Sequence, residues 1–262
     1  MSITLVELSR GVHSIDGLEH PFIPSGIVSY LVEEGPTDLT LIDTCFLKDV
    51  PKLKAYLTDI GHSIEEINRI VLTHVHIDHT QAANEIKKTS GRNTRVCSHW
   101  AEARYLANNP KYQGPPTHED LNQIFQKYGL SSEELIERFG SFEQEQIIVD
   151  QELKDGDMVG TKLQVIHTPG HTPGHISLYL EKERIIFGAD SLFKSVMDID
   201  GLYVPLSQVS IDPATSAISA LRLSQIKCDK LLLAHQDSPV LDGAQDAIER
   251  AARVAIKNLK RP

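Results

Sequence analysis

Ile70-Val71-Leu72-Thr73-His74-Val75-His76-Ile77-Asp78-His79-Thr80 is the stretch on which the fold turns. Its first three residues make an apolar run of the kind that forms a short buried strand, and four metal-binding side chains follow within six residues. Such a strand delivers the loop behind it to one edge of a sheet. His74 and His76 stand two apart, so an extended turn points them the same way, while Asp78 and His79 open the next segment and reach elsewhere. One run can therefore serve two adjacent ions. A solvated histidine-rich loop would read the same in isolation, but it would not call for further ligands at other strand ends.

Three later positions supply them. His171 lies in Ile166-His167-Thr168-Pro169-Gly170-His171-Thr172-Pro173-Gly174-His175, Asp190 follows the apolar run Ile185-Ile186-Phe187-Gly188-Ala189, and His235 follows Leu231-Leu232-Leu233-Ala234. In each case a strand feeds the candidate ligand into a loop. Five histidines and two carboxylates suit borderline divalent ions, zinc first with iron or manganese as alternatives, over calcium. The count fits two ions. His167 and His175 compete with His171 for its role.

Outward from these positions the chain alternates. Ile3–Leu8, Val12–Ile15, Ile27–Val32 and Leu39–Asp43 read as an antiparallel meander punctuated by glycine. The turn at Asp16–Ser25, with His20 in it, is apolar enough to overhang a pocket, and Asp43 ends the fourth strand with a buried-looking carboxylate. A helix over Val50–Leu57, the strand Ile67–Leu72, a helix over Gln81–Lys88, a strand Thr94–Ser98 and a helix over Trp100–Ala107 give the βαβα rhythm of an α/β layered sheet. His99, entering that last helix, reads as a cap or packing residue. Two helices, Glu119–Lys127 and Ser131–Phe139, the second opened by a capping box, form a lid-like insertion at about 108–144. Strands follow at Gln146–Val149, Met158–Ile166, Ile176–Leu180, Arg184–Phe187 and Lys230–Ala234, with helices at Pro213–Ser224 and Ala244–Leu259. The whole of 1–262 reads as one domain.

Bulk properties narrow the function. Lys and Arg number 26 against 36 Asp and Glu, a formal net charge of −10 that repels a nucleic acid backbone. A basic and apolar leader is lacking at the N-terminus, as is an apolar run of membrane-spanning length, so a cytoplasmic chain is expected, with no membrane partner. Cys45, Cys97 and Cys228 are odd in number and far apart, which fits a reducing compartment. A homodimer is compatible with all of this.

The order of these motifs resembles the metallo-β-lactamase superfamily. The Asp43 strand end, His74-x-His76-x-Asp78-His79, His171, Asp190 and His235 match its five motifs across essentially the whole chain. The resemblance implies a four-layer αββα sandwich. It implies that His74, His76 and His171 bind a first ion, that Asp78, His79 and His235 bind a second, that Asp190 bridges them, and that Asp43 supports the site without binding metal. His171 holds the family position between two Thr-Pro-Gly-type turns, which leaves His175 an orienting role. The chemistry so implied is hydrolysis by a metal-bridging hydroxide, with Asp78 receiving the proton.

Substrate class divides the family. Thr168-Pro169-Gly170-His171-Thr172-Pro173-Gly174-His175 is similar to acylhomoserine-lactone-type lactonases, although Phe193 stands where those enzymes commonly carry a carbonyl-polarising tyrosine. Tyr203 is the candidate replacement. Gly188-Ala189-Asp190-Ser191-Leu192-Phe193 is similar to glyoxalase II-like thioesterases, whose helical extension has no counterpart in the 27 residues after His235. The expected substrate is therefore a small ester or lactone, with a thioester second. A mononuclear iron sulfur dioxygenase and a nucleic acid phosphodiesterase rank below both, the latter because of the acidic balance.

Overall fold

The first strands pair as consecutive neighbours. β1 (Val6–Ser9), β2 (Val12–Leu18), β3 (Ile27–Gly35) and β4 (Asp38–Ile42) form an antiparallel meander. β5 (Ile67–Leu72), β6 (Arg95–His99) and β7 (Gln151–Leu153) then extend the same sheet in parallel. Parallel neighbours need crossovers. Helix α1 (Val50–Asp59) makes the first; Val50, Leu53, Tyr56 and Leu57 recur at helical spacing and are buried, and Gly61 at φ +83° stops it. α2 (Ile77–Thr80) and α3 (Ala83–Ser90) make the second, and α4 (Trp100–Asn108) leaves β6. The structure is a computed structural model that describes residues 6–20, 26–90, 94–108, 145–194, 201–205, 209–235 and 240–259. These fall into two compact units, the first up to Leu153 and the second from Lys154 onward.

The second unit is built on a sheet of β8 (Met158–Val159), β9 (Leu163–His167), β10 (Ile176–Leu180), β11 (Ile185–Ala189), β14 (Lys230–Leu233) and β15 (Val240–Asp242), in the order β15-β14-β11-β10-β9-β8. β12 (Phe193–Lys194) and β13 (Leu202–Tyr203) pair separately. Two helices, α5 (Pro213–Leu223) and α6 (Ala244–Leu259), pack together on one face of the sheet. Ala217, Ala220 and Leu223 meet Ala244, Ile248 and Ala252 there, over Ile166, Ile186, Leu231 and Leu233. Small residues at the helix contact let the axes approach closely, and each larger side chain buried contributes roughly 1.5–3 kcal/mol. Asp212 caps α5, its Oδ1 accepting from the amides of Ala214 and Thr215 at 3.0 Å each.

Three expected elements fall differently. Gln146–Val149 forms no strand. Ile147 N–H donates to Leu106 O at 2.9 Å and Asp150 N–H to Val96 O at 2.8 Å, so single bonds fasten this segment and strand pairing begins only at Gln151. Met158–Ile166 is a hairpin rather than one strand, because Gly160 at φ +59° turns the chain and pairs Val159 with Leu163. The helix expected over Gln81–Lys88 is α3, shifted to Ala83–Ser90, and a separate single turn, α2, precedes it at Ile77–Thr80. The insertion helices at 108–144 and the tip of the Asp16–Ser25 turn lie outside the described residues. No helix among the described residues is long and apolar enough to cross a membrane.

Candidate metal centre

In the first unit, β4 and β5 end side by side and their loops carry the chemistry. Asp43 leaves β4 at φ +57°, a left-handed conformation that aspartate tolerates better than bulky residues. This turns its buried carboxylate toward the end of β5. Oδ1 accepts from the Thr73 amide at 2.8 Å, and Oδ2 accepts from the Thr73 hydroxyl at 2.8 Å and from His79 Nδ1 at 2.9 Å. A carboxylate only accepts, so these bonds fix the protons. The Thr73 hydroxyl hydrogen goes to Asp43, and its 3.0 Å contact with His74 Nδ1 therefore has the imidazole as donor. Asp43 thus sets the tautomer of His79 directly and of His74 through Thr73, leaving Nε2 as the basic nitrogen of both rings. Support of this kind orients ligand histidines and raises their basicity.

His74 Nε2 and His76 Nδ1 face each other at 3.0 Å. Two nitrogens on one tetrahedral zinc, each about 2.0–2.1 Å from it, would stand roughly 3.3 Å apart. His76 then caps α2, which presents Asp78 and His79 in its single turn, and Thr44 holds the His79 carbonyl from its amide at 2.7 Å and its hydroxyl at 2.8 Å. Asp78 Oδ2 lies 3.3 Å from His79 Nε2. The first unit therefore brings together all four donors of the histidine run, with Asp43 behind them. His99 is not among them: its Nδ1 accepts from the Ala101 amide at 3.3 Å, as a cap.

In the second unit, three histidines compete over nine positions, and hydrogen bonds separate them. His167 Nε2 donates to Pro173 O at 3.0 Å. His175 Nε2 accepts the Asp190 amide at 3.2 Å, and its Nδ1 donates to Thr168 Oγ1 at 2.9 Å, which continues through Ser177 Oγ to Gly188 O. Both nitrogens of His175 are thus committed to a neutral ring that orients the Asp190 turn. His171 instead points Nε2 at Asp190 Oδ2, 3.4 Å away, and His235 Nε2 approaches the same oxygen at 3.5 Å. Ala189 at φ +45° makes the sharp exit from β11 that aims the carboxylate, a sparsely populated conformation typical of functional turns.

The loop carrying His171 is pinned by α5. The amides of Asp212 and Ile211 bond the carbonyls of Gly170 (2.9 Å) and His171 (3.2 Å), and Ser219 Oγ donates to Pro169 O at 2.7 Å. Gly170 sits at φ +130°, and a Cβ there would fall 2.2 Å from the Ser216 amide nitrogen. Only glycine permits that approach. Beside the donors, Phe193 stacks between His235 (6.0 Å) and Tyr203 (5.8 Å), its direct cross-strand partner. Burial, and then the Asp190 charge, push the Tyr203 phenol above its ordinary pKa.

Sequence reasoning missed two features. Thr73 and Thr168, which relay hydrogen bonds to His74 and His175, carry no signal beyond adjacency to a motif. His20, picked out only as part of a loop, places Nε2 3.5 Å from Asp78 Oδ2.

Comparison with known proteins identifies the family. A profile of the metallo-beta-lactamase superfamily matches residues 23–235, a span that contains all seven donors. The chain is 27% identical over 187 residues to a probable metallo-hydrolase of Bacillus subtilis (strain 168), covering 65% of this chain and 64% of the relative. It is 27% identical over 125 residues to a hydroxyacylglutathione hydrolase of Haemophilus influenzae, covering 48% and 50% respectively. The matched stretch is less than two thirds of either relative. Among solved structures, a metallo-beta-lactamase family protein of Thermus thermophilus aligns with a TM-score of 0.69 at 23% identity, over 97% of this chain and 81% of that one, which is a likeness of fold. The chain belongs to the metallo-β-lactamase superfamily.

Proposed function

We propose that the chain is a metal-dependent hydrolase of carboxylic esters or lactones. Two divalent ions would be held, one by His74, His76, His171 and Asp190 and the other by Asp78, His79 and His235, with Asp190 serving both. The observation that carries this reading is Asp190 Oδ2, which stands 3.4 Å from His171 Nε2 and 3.5 Å from His235 Nε2. One oxygen facing a histidine from each ligand group is what a bridging carboxylate requires. Imidazole and carboxylate donors, with Nε2 of His74 and His79 kept basic, suit zinc, with iron or manganese accommodated by the same set.

When bound, such a pair makes a coordinated water acidic near neutral pH and polarises the carbonyl it faces. The protein's own part is to hold and to shuttle. Asp78, buried beside His79, takes up the proton released during attack and returns it to the leaving group. The protonated Tyr203 phenol donates to the substrate carbonyl oxygen from beside Phe193, taking over the role of the tyrosine expected at 193. Tyr203→Phe should lower kcat on a long-acyl lactone about a hundredfold, the usual cost of losing one such donor, with KM little changed. An unchanged kcat would remove Tyr203 from the reaction.

The second reading is thioester hydrolysis, favoured by relatives named as hydroxyacylglutathione hydrolases. Comparing kcat/KM on a long-acyl lactone and on an acyl-glutathione thioester separates the two: the proposal expects the lactone to be faster, and a thioester preference would replace it.

A further inference from the structure

The short segment after β2 is fastened far more firmly than a surface turn needs to be. The Glu19 amide donates to Asp49 Oδ2 at 2.9 Å, and Asp49 is buried. Lys48 Nζ and Lys52 Nζ grip the two Glu19 carboxylate oxygens at 2.6 and 2.8 Å, Lys52 also pairs with Asp49 at 2.8 Å, and it reaches Gly17 O at 3.4 Å. Four of these contacts hold Gly17–Glu19 against the start of α1, and the Lys52–Asp49 pair braces them. The next residue is His20. Its ring lies 6.1 Å from that of Phe46, and its Nε2 is 3.5 Å from Asp78 Oδ2, with both side chains only about a tenth exposed (11% and 10%).

From this we infer that His20 is a positioning residue for Asp78, acting on the second ion without binding it. The inference rests on the two-ion reading above and adds a residue that none of the five motifs contains. Asp78 Oδ2 is approached by two imidazoles, His79 at 3.3 Å and His20 at 3.5 Å, from two separate stretches of the first unit. His79 belongs to the ligand set. His20 meets the carboxylate from the other stretch, and the Glu19–Lys48–Lys52–Asp49 clamp fixes the backbone that leads into it. Held this way, the Asp78 carboxylate keeps one orientation, and the ion it serves meets a preformed donor. Partners of this kind are worth about ten- to a hundredfold in metal affinity.

The test uses the full-length, metal-loaded protein and reads ions retained per chain during stepwise chelation, together with kcat and KM on an ester substrate. His20→Ala should release the second ion at about ten- to a hundredfold lower chelator strength, leave the first ion where it is in wild type, and lower kcat more than KM changes. His20→Gln, whose amide can still donate to Asp78, should recover most of the affinity; thermal melting of the metal-free variants checks that both fold. Glu19→Gln, which loosens the clamp without touching His20, should give a smaller shift in the same direction. If His20→Ala holds both ions as wild type does, or if His20→Gln is no better than His20→Ala, His20 merely packs and the inference fails while the two-ion reading stands. A wild-type chain that takes up only one ion would overturn both.

Discussion

Asp43 carries three hydrogen bonds on one buried carboxylate, and two histidines of the proposed ligand set take their tautomers from it. That role can be tested without disturbing the backbone, because asparagine tolerates the φ of +57° nearly as well as aspartate. Asp43→Asn presents a donor where an acceptor is needed or turns its amide away from Thr73. It should lower metal affinity about ten- to a hundredfold and cost the metal-free protein about 1–3 kcal/mol, read by chelator competition and by denaturant unfolding. Unchanged affinity would mean that His79 and His74 orient themselves. The sequence marked Asp43 as a buried-looking carboxylate at a strand end, and the family resemblance implied its supporting role. Its partners Thr73 and His79 were not legible, because a hydrogen bond across thirty or more residues leaves no local pattern. His20 was hidden for the same reason: its contact with Asp78 joins two stretches whose spacing carries no period.

Loops rather than strands hold the donors, and two of them make predictions of their own. The His171 loop depends on Gly170, whose missing Cβ admits the Ser216 amide. Gly170→Ala should destabilise the protein by about 2–4 kcal/mol and loosen His171, seen as a lower Tm together with weaker metal retention; a variant as stable as wild type would refute the close approach. The segment ending at His20 depends on Glu19, whose pKa is lowered from 4.5 to about 2 chiefly by hydrogen bonds from Lys48 and Lys52. A carboxyl group whose folded pKa is depressed stabilises above its unfolded pKa, and that contribution is lost as pH falls through the folded value. The stability difference between wild type and Glu19→Gln should therefore be full above about pH 4.5 and close as pH approaches 2. Partial exposure of Glu19 keeps the difference small. A difference independent of pH would show that charge plays no part. At this scale the sequence read long periodic elements well, α1, α5 and the meander among them. It misread Met158–Ile166 and Gln146–Val149, where a single glycine turn and a few isolated bonds to neighbouring segments decide the pairing.

For the molecule as a whole, the donors come from loops far apart in sequence, so metal binding and stability are linked. Ions that bind the folded chain stabilise it by mass action, about 2.7 kcal/mol at a hundred times Kd. Exhaustive chelation should therefore lower Tm by roughly 5–10 °C, reversed by adding zinc. An unchanged Tm would mean that these groups hold no resident metal. The family was legible from the sequence because each of its five motifs is a local pattern at a strand end. Substrate class was not, since Phe193 and Tyr203 meet across a two-residue strand pair that has no hydrophobic period to announce it. The claim on which the rest depends is that Asp190 serves two ions at once. Elemental analysis of the fully active protein tests it most directly: two divalent ions per chain are predicted, and a chain that reaches full turnover with one would contradict it.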